Sequence, residues 1–216
     1  LGAGNLLKCK SLFGLEFVFE EIPANLIPFD METYMAYQGR YLIGVTNART
    51  GKSEYLDGQR LDEKNSLLKA TCALPFYFPP IAIGDELYYD GGICDPIPVR
   101  RALSDGNQKL LIILTRPQGY VKTLSRSNKL TKVLRRRYPN LVYPLLHRHE
   151  NYNETVRFCE ALEAQGQAVV LRPEGDAVID SFEKNVELIK RSYARGYEQC
   201  AARMAEIRAL FNEEEE

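Results

Sequence analysis

The sequence predicts an α/β layer fold: three layers, a mostly parallel central sheet with helices on both faces, and a helical C-terminal part. Three observations predict it. Short apolar strands are separated by helical segments, the arrangement that builds layered α/β domains. Lys109-Thr115 (K-L-L-I-I-L-T) is a continuous apolar run of the kind found in a strand covered on both faces. From about residue 120 onward the pattern is mainly helical.

Taken in order, Leu12 to Phe29 is apolar but broken by Pro23 and Pro28, which gives a short helix and then a turn. Arg40-Thr46 is rich in β-branched and aromatic residues, Asn47-Gly51 in turn formers, and Lys52-Leu56 completes a hairpin. Asp62 caps a helix through Leu67, Leu68 and Cys72 that stops at Leu74, because Pro75 disfavours helical backbone before it. Ile81-Ile83 and Glu86-Tyr89 are two short strands joined by Gly84-Asp85. Pro98 opens a helix over Val99-Leu103. Helices follow over Ser127-Arg136, Leu141-His149 and Asn153-Gln165, the last ending at Gly166. Gln167-Leu171 is a second buried strand, and Ser181-Leu210 forms one or two amphipathic helices. No Pro/Gly/Ser-rich linker divides the chain, so residues 1–216 read as a single domain with a helical tail over about 120–216.

Composition narrows the function. With 216 residues the chain can bury a sizeable core, and 28 Lys+Arg against 29 Asp+Glu exclude a globally basic nucleic-acid binder. Five cysteines are scattered without C-x-x-C spacing, which indicates reduced thiols and neither a zinc cluster nor a disulfide framework. No signal peptide or membrane span is evident, so a cytoplasmic setting is expected, peripheral to the membrane at most. The chain opens at Leu1 and its first methionine is Met31, so it reads as a portion of a longer protein.

Charge is unevenly spread. Gly106 to His149 holds ten basic residues and no acid, which leaves the rest of the chain at about -11. Such a stretch is a solvated helical face, or it attracts anionic lipid head groups. No aromatic stacking pattern or named motif supports nucleic acid. His147 and His149 lie two apart on a helix and point to different faces, spacing that suits neither a shared metal nor a triad.

The chemistry concentrates in Leu67-Val99. Asp90 follows a strand directly and precedes Gly91-Gly92. On those three residues the plain reading is a turn, since Asp-Gly is a strong hairpin signal. The same carboxylate, at a strand end beside two glycines that permit close approach, can also act as a base. Burial against Tyr88, Tyr89 and Ile93 would raise its pKa and sharpen that role.

The series A-L-P-F-Y-F-P-P, then a hairpin, then Y-Y-D-G-G-I-C-D-P-I-P-V-R resembles the patatin-like phospholipase family. Pro28-Asp30 and Tyr41-Lys52 extend the likeness upstream, and Leu110-Tyr120 with the tail from Tyr152 to Phe211 is similar to a bacterial branch. The resemblance implies a serine acyl hydrolase acting on lipid or other carboxylic esters through a Ser-Asp dyad. Asp90 carries over as its aspartate, and no metal or organic cofactor is implied. Asp95 matches the block too, with a structural reading as an Asx-turn ahead of Pro96. None of the eight serines is flanked on both sides by glycine at G-x-S-x-G spacing. The chain therefore reads as the Asp-bearing, C-terminal portion of a patatin-like domain, inactive by itself. The alternative is a non-catalytic domain of the same fold that binds lipid surfaces.

Overall fold

In a computed structural model, residues 14–124, 134–175, 178–179 and 183–212 are described. The chain forms two compact units, one from Leu1–Pro96 with Leu124–Asn151, the other from Ile97–Thr123 with Tyr152–Glu216.

The first unit opens with a wide π-type helix, Phe17–Leu26, in which the Ile27 N–H reaches back five residues to the Ile22 carbonyl at 2.8 Å. Asp30 then starts α1 (Met31–Ala36) by accepting the Thr33 N–H at 2.9 Å. The predicted hairpin is present as β1 (Leu42–Asn47) and β2 (Ser53–Asp57), with Gly44 opposite Tyr55. Asn47, 3% exposed, folds its turn by accepting the N–H groups of Arg49 and Thr50 at 2.9 and 3.1 Å. Helix α2 (Ser66–Cys72) begins four residues after Asp62, which still takes the Ser66 N–H at 2.6 Å. β3 (Ile81–Ile83) and β4 (Glu86–Asp90) pair across a turn in which Gly84 adopts φ +58°.

These strands form one sheet in the order β2-β1-β4-β3, antiparallel at every step. The expected parallel pairing is absent from this sheet for a topological reason. Both β1–β2 and β3–β4 are closed by short turns, which can join only antiparallel neighbours. The layering does hold, because side chains alternate across the sheet. Tyr88 packs on one face with Ile43, Val45, Leu67 and Ala70, while Tyr89 packs on the other with Ile93, Tyr138, Leu141 and Val142.

The second unit contains α3 (Val99–Ser104), β5 (Leu110–Ile113) and β6 (Ala168–Leu171), and here the strands are parallel, Leu110 opposite Ala168. α4 (Val142–Ala164) starts in the first unit and ends in the second. It replaces the two helices predicted over Leu141-His149 and Asn153-Gln165, since Glu150-Tyr152 contains neither proline nor glycine to interrupt it. Gly166, φ +70°, stops it. α5 (Val186–Ala202) and α6 (Met204–Asn212) fill the C-terminal region. The apolar run of β5 is buried on one face only: Leu110 and Ile112 enter the core, whereas Ile113 is 71% exposed. Most of the helix predicted over Ser127-Arg136 lies outside the described residues.

Candidate active site

β4 delivers Asp90 to the end of the sheet, opposite Val45 of β1. The chain does not turn back into a hairpin there. It enters a 3-10 turn, Gly91–Ile93, whose Gly92 N–H donates to Asp90 Oδ1 at 2.7 Å. The main chain of Asp90 is held from two sides. Its N–H donates to the Ala73 carbonyl just beyond α2 at 2.9 Å, and its carbonyl accepts the buried Thr46 hydroxyl at 2.9 Å. The side chain is half-buried.

The paired glycines serve different ends. A Cβ on Gly91 would collide with the Gly44 carbonyl, so β1 passes too close for any side chain there. A Cβ on Gly92 would sit 3.1 Å from Asp90 Oδ1 and 3.2 Å from an Arg148 guanidinium nitrogen.

Tyr88 and Tyr89 flank Asp90 in sequence, but each enters its own core, and burial pushes both phenols up to about 12. The thiol of Cys72, at the end of α2, lies near enough to sense Asp90. Burial of the sulfur first, and then the charge of Asp90, hold it above its ordinary range. Asp95 accepts the Tyr55 phenol O–H from β2, while its own N–H donates to the Gly91 carbonyl at 2.9 Å. It therefore ties the turn to the sheet through a side chain that the sequence did not identify. His147 Nδ1 pairs with Glu150 Oε2 at 2.8 Å, and His149 lies 3.8 Å from the same carboxylate.

Sequence reasoning also missed Arg148 and Asn151, on the first half of α4. Arg148 Nε donates to the Gly92 carbonyl and Asn151 Nδ2 to the Cys94 carbonyl, both at 2.6 Å. Their three-residue spacing on a helix was legible; the turn they would meet was not.

Residues 22–103 match the family model of the patatin-like phospholipases. The likeness is to that family over this segment, and it spans β1 to β4, the Asp90 turn and most of α3. Residues 138–212, which include α4, β6, α5 and α6, match a second model, a domain of unknown function (DUF6363). No curated protein matches the chain. Among the described residues, no helix is long and apolar enough to cross a membrane.

Proposed function

We propose that this chain is the aspartate-bearing part of a serine acyl hydrolase acting on lipid esters, with Asp90 as the base of a Ser-Asp dyad. The observation that carries this reading is the patatin-like match over the segment that ends β4 in D-G-G. A serine presented in a G-x-S-x-G elbow, which none of the eight serines here has, would attack the ester carbonyl while Asp90 takes the hydroxyl proton. The alcohol leaves with that proton. Water then attacks the acyl-serine, Asp90 accepts a proton from it, and the fatty acid leaves as serine recovers its hydrogen.

A cavity of about 690 Å³ in the first unit supports a lipid acyl chain over a polar ester group. Val18, Ile22, Ile27, Phe29, Tyr41 and Leu68 are among its lining residues. Its walls are pinned by the Lys69–Glu20 ion pair and by Asn65 donating to the Phe19 carbonyl at 2.6 Å. Helix α2 links it to the base. Leu68 lines the cavity, and the Ala73 carbonyl five residues on holds the Asp90 N–H, a helical rise of roughly 7.5 Å.

The test is ester hydrolysis and fluorophosphonate labelling by the protein with its elbow, set beside this chain by itself. Asp90→Asn should abolish turnover with folding intact, because the amide accepts no proton, and this chain should remain unlabelled. Full turnover by Asp90→Asn returns Asp90 to the role of a turn residue.

A second reading, lipid-surface binding without catalysis, draws on exposed apolar side chains early in the chain, including Phe17, Leu26, Ile27 and Phe29 at 52–72% exposure. The basic residues after Gly106 would add attraction to anionic lipid. Co-sedimentation with anionic vesicles that weakens in high salt, from a protein inert toward esters, would favour it.

A further inference from the structure

The Asp90 turn is braced by a helix from outside the patatin-like match. Arg148 and Asn151 stand three residues apart on α4, hence on one face, and each donates to a different carbonyl of the turn. With Thr46 on the Asp90 carbonyl, and the Cys94 and Asp95 N–H groups on that of Gly91 at 3.1 and 2.9 Å, the turn is held along its length. A turn fixed by convergent bonds holds its side chain in one place, as a proton acceptor requires.

Arg148 does more than donate through Nε. One terminal nitrogen of its guanidinium and Asp90 Oδ1 both face the bare Cα of Gly92, which puts cation and carboxylate within about 6 Å of each other. The planar fork allows this division of labour, one N–H on the carbonyl and another edge toward the carboxylate; an ammonium on a flexible stem does not. Among the described residues, Cys72 bears on Asp90 from the end of α2 as a neutral thiol, and Thr46 and Gly92 bring no charge.

We propose that Arg148, with Asn151 beside it, is the positioning residue for Asp90. It locks the D-G-G turn through the Gly92 carbonyl, which fixes where the carboxylate stands, and brings a positive charge that favours the ionised carboxylate. The proposal rests on the reading of Asp90 as the base. It also gives part of the DUF6363 segment a role, that of holding an aspartate presented by the patatin-like segment.

The test follows the Asp90 carboxyl directly, by carbon-detected NMR titration of this chain with ¹³Cγ-labelled aspartate, so it needs no turnover. Arg148→Met should raise the Asp90 midpoint by about half to one pH unit, the effect of one charge at this distance in a water-like to half-screened medium. Arg148→Lys should restore part of that shift. Asn151→Ala removes a brace without a charge, so it should lower stability and leave the midpoint in place. In the protein with its elbow, Arg148→Met should lower kcat at least tenfold with KM nearly unchanged, and move the acid limb of kcat/KM upward by the same interval. A midpoint that stays within about 0.2 unit in Arg148→Met overturns the electrostatic role, whatever the activity. A shifted midpoint with Asp90→Asn fully active keeps the pairing and refutes the hydrolase reading instead.

Discussion

Gly91→Ala is the substitution whose cost the structure fixes most directly. The added methyl would meet the Gly44 carbonyl oxygen and carbon, and lie 3.0 Å from the Val45 nitrogen. All three are backbone atoms of a central strand, paired with β2 on one side and β4 on the other, so none can rotate aside. Either β1 shifts or the 3-10 turn lifts away. Overpacking of this kind costs about 1–3 kcal/mol, and lifting the turn also weakens the Thr46 and Ala73 bonds to Asp90, at about 1 kcal/mol each. The narrower unfolded ensemble of alanine returns about 0.4–1 kcal/mol, which leaves a net loss of about 2–5 kcal/mol. Urea unfolding followed by circular dichroism at ~222 nm is the assay, and a midpoint lower by roughly 1–2 M is expected. Gly196→Ala is the control. Gly196 lies inside α5 with nothing within 4 Å of an added Cβ, so alanine there should stabilise by about 0.5–1 kcal/mol. A Gly91→Ala midpoint at or above that of the parent would refute the close-approach argument for this turn.

Three further outcomes follow from local chemistry. Asn185 accepts the Glu187 and Leu188 N–H groups at 3.0 and 3.3 Å to start α5, so Asn185→Ala should cost about 1 kcal/mol in the same assay. Arg203 hydrogen bonds hold the Glu206 carboxyl below its ordinary value, so the stability this pair gives is complete above the unfolded carboxyl pKa and is lost as pH falls through the lower folded value. Arg203→Met should therefore reduce the difference in unfolding free energy between pH 7 and pH 3, measured by urea titration, by an amount within the ~1 kcal/mol typical of exposed pairs. Burial pushes the Cys159 thiol up to about 11 in the core of the second unit, so it should resist alkylation at neutral pH until the protein is unfolded. Labelling of native Cys159 at the rate of a free thiol would show that this core is open.

The elements most readable from sequence were those with local causes. Turn chemistry at Asn47-Gly51 and Gly84-Asp85 placed both hairpins, and Pro75 and Gly166 marked helix ends within one or two residues. Reading failed where partners decide. An apolar run such as Leu110-Ile113 looks the same whether one face or two will be covered, and strand direction is set by which segments meet. Asp95 illustrates the limit at the site. Its local prospects suggested a backbone turn, yet it accepts a phenol from a residue 40 positions earlier.

By itself the sequence determined that a strand leads directly into Asp90, that two glycines follow, and that this block resembles a lipid hydrolase family; chain-local stereochemistry and residue types suffice for that. Only the tertiary structure decided why Gly91 must be bare, which phenol holds Asp95, and that a guanidinium 56 residues away in sequence stands over Gly92. Hydrogen bonds and charge act through space over a few ångströms, and the distance that matters between Asp90 and Arg148 exists only once the sheet and α4 have packed.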